Sequence, residues 1–166
     1  LRGCNALAVL DVSLNHLQDQ GVTDLMAAVA HCTALRVLKL GSTGFCLAAT
    51  VAAVGQACAH FTALEHRDLS DSSLGLSVVL LASTPDTRFA SLHSLGLRTS
   101  GMHAYGTTSL SKILPRCPKL RNLDLGCNAL DDKAAANLSA GLEACRALSH
   151  LSLVNCKLKA PRAESL

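Results

Sequence analysis

Apolar residues recur along this chain in a fixed frame. From Leu120 the residues read LRNLDLGCNAL, with leucine at 120, 123, 125 and 130 and a polar Asn128 between the last two. The alternation through Leu123, Asp124 and Leu125 is that of a strand with one buried face. The same frame begins at Leu7, Leu35, Leu64, Leu92 and Leu148. There it reads LAVLDVSLNHL, LRVLKLGSTGF, LEHRDLSDSSL, LHSLGLRTSGM and LSHLSLVNCKL. Successive starts lie 28, 29, 28, 28 and 28 residues apart. A fixed period of this length marks a repeat architecture.

A second pattern fills the gaps between frames. Leu25, Val54, Ala82, Leu110 and Leu138 stand ten residues before the next frame. Leu1, Val29, Cys58, Asp86, Leu114 and Leu142 stand six before it, and Cys4, Cys32, Phe61, Phe89, Cys117 and Cys145 three before it. Spacings of three, four and seven put these residues on one helical face. Each repeat is therefore predicted as strand, turn, helix and turn. In the fifth repeat Asp131 and Asp132 stand just ahead of AAANLSAGLEAC. They supply an N-cap carboxylate and negative charge at the positive end of the helix dipole. In the third repeat Pro85 and Asp86 fall on the expected last helical turn, so that helix is predicted to stop near Ala82.

A strand with three buried side chains cannot fold alone, and stacking in parallel with its neighbours buries a continuous core. Helices are wider than strands, roughly 10 Å against 4.7 Å, so the helix side fans out and the sheet lines the inside of a curve. The ninth position of the frame holds Asn15, Thr43, Ser72, Ser100, Asn128 and Cys156. Each is small enough for a crowded turn, and each is predicted to hydrogen-bond the backbone of neighbouring turns.

The frame L-x-x-L-x-L-x-x-N-x-L, the period of 28–29 residues with a full helix, and the C-x-x-L approach to each strand carry a resemblance. The chain resembles the leucine-rich-repeat proteins of the ribonuclease-inhibitor-like class along essentially its whole length. That class includes ribonuclease inhibitor, the sensor tails of innate-immune receptors and Ran GTPase-activating proteins. The resemblance implies an α/β solenoid, or horseshoe, with a parallel sheet on the concave side and helices on the convex side. It also implies a non-catalytic scaffold that binds another protein. Two features depart from known members: the chain is slightly basic where ribonuclease inhibitor is acidic, and no two repeat types alternate.

Bulk properties narrow the picture. The chain of 166 residues is expected to be one array of about six repeats. Leu1 and Leu166 fall inside repeats and no polar capping repeat is evident, so a piece of a longer polypeptide or complex is expected. Aromatic residues make up 2% and there is no tryptophan, so Leu, Val, Ala and Cys must build the core. The formal charge is +3 with no run of Lys or Arg, which argues against nucleic acid as a partner. The longest apolar run, residues 74–82, is too short to span a bilayer. The first residues, Leu-Arg-Gly-Cys, show no signal-peptide pattern, and a cytoplasmic location is expected.

Candidate chemistry is sparse. Four of the eight cysteines share one repeat position that wants a small buried residue, and no C-x-x-C pair has metal spacing. Cys127 and Cys156, near the turns, are the thiols to test for reactivity. No two of the seven histidines have helical metal spacing. His66 and His150 share a column three repeats, roughly 14 Å, apart, too far to hold one ion, so no metal and no cofactor are expected. Asn137-Leu138-Ser139 matches a glycosylation sequon but overlaps a core leucine on a helix. Arg67 takes a frame position that should be apolar, and is expected to reach the surface or pair with a neighbouring aspartate.

The concave face carries the binding expectation. Alternate strand residues point away from the core, and Lys39, His66, Asp68, Arg98, Asn122, Asp124 and His150 are the residues expected to meet a partner. No aromatic anchor lies among them. No phosphate-binding glycine loop or nucleophile elbow appears, so no enzyme is expected. The alternatives are a structural part of a cytoskeletal or flagellar assembly, or a GTPase-activating module with Arg98 as its finger.

Overall fold

A computed structural model describes residues 3–77 and 89–158. Each frame supplies one short strand: β1 (Val9–Asp11), β2 (Val37–Lys39), β3 (His66–Asp68), β4 (Ser94–Gly96), β5 (Asn122–Asp124) and β6 (His150–Ser152). They form one parallel sheet in chain order, each strand beside the next in sequence. Register follows the repeat residue for residue: Leu10, Leu38, Arg67, Leu95, Leu123 and Leu151 are successive partners. The ladder extends past the strands. Leu14, Ser42, Asp71, Thr99 and Cys127 each donate a backbone N–H to a carbonyl one repeat along, at 2.7–2.9 Å.

Helices lie on the other face: α1 (Gln18–Val29), α2 (Ala48–Cys58), α3 (Ala104–Ile113) and α4 (Asp132–Leu142). The third repeat opens with a 3-10 turn over Gly75–Ser77; the stop expected near Ala82 lies outside the described residues. Leucines at frame positions one, four and six meet the helix residues in one buried core. Those of the middle repeats, such as Leu38, Leu40, Leu123 and Leu125, are wholly buried, while Leu10 and Leu151 in the outer strands are half-buried. The expected helix face is correct in outline, with Val54, Leu110 and Leu138 fully buried and Leu25 half-buried. Cys32, Cys117 and Cys145 are buried as expected, but Cys4 is exposed.

Two helix starts are capped, in different ways. Asp131 caps α4 as expected, accepting the Ala134 amide at 2.7 Å. Helix α2 has no cap of its own, and Asp19 from α1 provides one. Its carboxylate accepts the N–H groups of Leu47 at 2.9 Å and Cys46 at 3.1 Å. Helices α3 and α4 approach so closely that a Cβ on Gly141 would sit 2.7 Å from the Ser111 backbone. Asn137 spans the same contact, donating to Thr108 Oγ1 at 2.7 Å and to the Ala104 carbonyl at 3.1 Å. Its sequon is thus part of a helix interface.

The turn residues divide. Asn128 stitches two repeats: its Nδ2 donates to the Leu97 and Leu125 carbonyls, and its Oδ1 accepts the amides of Ser100 and Met102. Cys156 reaches the Leu125 carbonyl of the repeat before it. Asn15, Thr43, Ser72 and Ser100 depart from the expectation, because their side chains donate within their own turn. A hydroxyl is too short to cross to the next turn, and Asn15 has no described turn before it.

Arg67 also departs from the expectation. It is 3% exposed, and its Nε and Nη2 make no hydrogen bond. Among the described residues it forms no ion pair with an aspartate. Packed between the leucines of β2 and β4, its guanidinium is held inside the stack instead of reaching out.

Candidate functional site

The inner face of the sheet forms an open groove running across all six strands. Val9, Val37, His66, Ser94, Asn122 and His150 make one column, and Lys39, Asp68, Gly96, Asp124 and Ser152 the next. Strand alternation puts these side chains on the face opposite the leucines. The sheet thereby brings Lys39, His66, Asp68, Asn122, Asp124 and His150 to one surface. Arg98, two residues past Gly96, leans over Gly126: a Cβ there would lie 2.5 Å from its Nη1.

Three carboxylates in the central column share one local geometry. Each accepts the amide two residues ahead: Asp11 from Ser13 at 3.1 Å, Asp68 from Ser70 at 3.0 Å, and Asp124 from Gly126 at 2.9 Å. Asp68 takes the Ser70 hydroxyl as well, at 2.6 Å. These bonds fix one oxygen of each carboxylate. In Asp11 the second oxygen receives the Lys39 ammonium at 3.1 Å, from the adjacent strand. Ser13, and then Lys39, hold the Asp11 carboxyl below its usual range. Lys39 is therefore already paired within the chain. Sequence reading named Lys39 but not this partner, although the direct register of Asp11 and Lys39 was the signal for it.

Elsewhere the polar residues are arranged more loosely. His66 stacks on His93 with ring centroids 6.5 Å apart. At the strand entrance an exposed Arg36 pairs with a half-buried Glu65 at 3.3 Å. Among the described residues no group of three or more His, Cys, Asp or Glu side chains converges as a metal would need. Nor is any described helix long and apolar enough to cross a membrane.

The thiols are mostly unsuited to chemistry. Burial pushes Cys117 up to about 12, and it raises Cys58, Cys145 and Cys156 as well. A raised thiol has little thiolate at neutral pH. Cys156 was singled out for reactivity, but its buried sulfur serves the turn. Cys46, which was not, is exposed.

Comparison with known proteins bears on this geometry. A family model described as leucine-rich repeat matches residues 3–26 and 116–139, which hold β1 and β5 with most of the helices α1 and α4 that follow them. The chain is a leucine-rich-repeat protein. This leucine-rich-repeat chain is 33% identical over 159 residues to the human protein "NACHT, LRR and PYD domains-containing protein 13". It is 27% identical over 157 residues to the bovine "NACHT, LRR and PYD domains-containing protein 5". Over 75 residues it is 36% identical to a zebrafish "Tonsoku-like protein". These matches cover 90%, 85% and 44% of the chain. They span only 14%, 14% and 5% of the relatives' own lengths. Leucine-rich-repeat arrays generally act as protein-interaction modules and not as enzymes, because stacking leaves a long curved surface open.

Proposed function

We propose that this array is a non-catalytic interaction module that binds another protein on the concave face of its sheet. The observation that carries the reading is the unbroken register of six strands. It turns residues scattered over more than a hundred positions into one continuous polar surface holding Lys39, His66, Asp68, Asn122, Asp124 and His150, with Arg98 at its rim. We further propose the ribonuclease-inhibitor-like class, a cytoplasmic setting, and a place inside a longer polypeptide. The names of the NACHT relatives, which join leucine-rich repeats to other domains, support that last point.

Crosslinking the chain in a cell extract, followed by mapping of the crosslinked peptides, tests the reading. Crosslinks clustered on the strands, and about tenfold weaker capture by Asp68→Arg, are expected, since reversing one charge at a contact costs about 1.4 kcal/mol for each factor of ten. Crosslinks confined to the helices, with capture unchanged by Asp68→Arg, would overturn it.

A further inference from the structure

The stretch that leads into the strands carries charge in a pattern the concave columns do not share. One residue ahead of β2 to β6, Arg36, Glu65, His93, Arg121 and Ser149 form a column of their own. Its first cation is neutralised within the chain, because Arg36 pairs with Glu65 of the next repeat. From His93 onward the column holds no carboxylate. Arg121 is fixed there by the ladder: its amide donates to the His93 carbonyl at 2.9 Å, and its own carbonyl accepts the Ser149 amide at 2.9 Å.

Two more cations join it. Lys119 lies in the turn entering β5, and Arg146 in the turn entering β6. The two turns are built alike, since Leu120 and Leu148 each donate an N–H to the carbonyl three residues back. They stack one strand spacing apart, roughly 5 Å. Lys119, Arg121 and Arg146 are all exposed, and among the described residues none of the three is in an ion pair. The adjoining strand column continues without a carboxylate through Ser94, Asn122 and His150. Glu143, the acid nearest Arg146 in sequence, stands at the end of the convex helix α4. Three like charges held over two adjacent turns repel one another, and a ligand of opposite charge relieves that repulsion.

We propose that the entrance rim of β5 and β6 seats an acidic segment of a protein partner, whose Asp or Glu side chains meet Lys119, Arg121 and Arg146. The inference rests on the concave-face reading above and names the charge of the partner along one edge of the groove. Asn122 and His150, exposed in the adjoining column, carry the contact from the rim into the groove. Three cations on two turns suit a short run of carboxylates, whereas a nucleic acid calls for a longer basic track.

Immobilised twelve-residue peptides with randomised flanks, fixed at three central positions as glutamate, glutamine or lysine, test this. Retention of the chain on the glutamate peptides about tenfold above glutamine is expected, because exposed ion pairs are individually weak and three act together. Lys119→Gln/Arg121→Gln/Arg146→Gln should abolish the preference, and the corresponding triple change to Glu should turn it toward lysine. Lys112→Gln, which removes an exposed cation from α3, should leave it in place. All these positions are exposed, so the variants keep the core intact. Equal retention on glutamate and glutamine peptides, or a preference that survives the triple change to Gln, would overturn the rim. Displacement of the chain by a single-stranded oligonucleotide at lower concentration than by free glutamate peptide would overturn it in favour of nucleic acid. Strand-face crosslinks to a partner captured equally by the triple Gln variant would sink the rim alone and leave the interaction module standing.

Discussion

At the residue scale, the turn after each strand makes an unusual demand. Leu14, Ser42, Asp71, Thr99, Cys127 and Asn155 all adopt left-handed backbone, with φ between 50° and 60°. None of them is glycine, and the frame gives no hint of the requirement because it leaves that position free. Leu14 is a plain case: an apolar residue in left-handed geometry, 82% exposed, gains no burial in return. Leu14→Asn is expected to stabilise the chain by about 1 kcal/mol, read as a higher urea midpoint with an unchanged slope. Arg67 is the second local conflict. Among the described residues no carboxylate pairs with this buried guanidinium, and similar-sized apolar replacements of buried ions often stabilise by about 1–4 kcal/mol. Arg67→Leu is therefore expected to raise the thermal midpoint; a lower one would show that the guanidinium has a compensating role.

At the scale of the elements, each helix and strand was legible from spacing wherever its signal was local. Asp131 ahead of α4 announced its cap, and the leucine alternation announced the strands. The cap of α2 was not legible, because it comes from Asp19 a full repeat earlier, and no local pattern records a carboxylate borrowed across a turn. Burial pushes the Asp19 carboxyl up, but the donors of Leu47, Thr50 and Cys46 outweigh it and leave the pKa lowered. A lowered carboxyl contributes stability above its ordinary pKa of about 3.9 and loses it as pH falls through the folded-state value. Asp19→Ala is expected to cost about 1 kcal/mol at pH 7 and less at pH 3. Urea unfolding of both chains at the two pH values checks this. An equal difference at both would dismiss the cap.

At the scale of the molecule, the period alone was enough to place the leucines of all six frames in one register. Strand alternation put Lys39, His66, Asp68, Asn122, Asp124 and His150 on one sheet face, and the structure has them lining its groove, with Arg98 leaning over Gly126. One thing was hidden. Asp11 and Lys39 share a column, so their pairing could be anticipated, but the lean of Asp68 over Gly96 could not. That lean is a property of side-chain conformation, which a one-dimensional pattern does not carry. The same limit applies to Arg67, whose burial reflects packing on both sides.

Among the described residues each strand of the sheet pairs with its sequential neighbours, and none reaches past the one beside it. An array so wired depends on contacts between adjacent repeats to hold it shut under tension. Pulled from its two ends in optical tweezers, it is expected to yield like a zipper, in steps of one 28-residue unit, each releasing roughly 90 Å of contour. A single cooperative rip of the whole array would show that the units are tied more tightly than their neighbour-to-neighbour wiring implies.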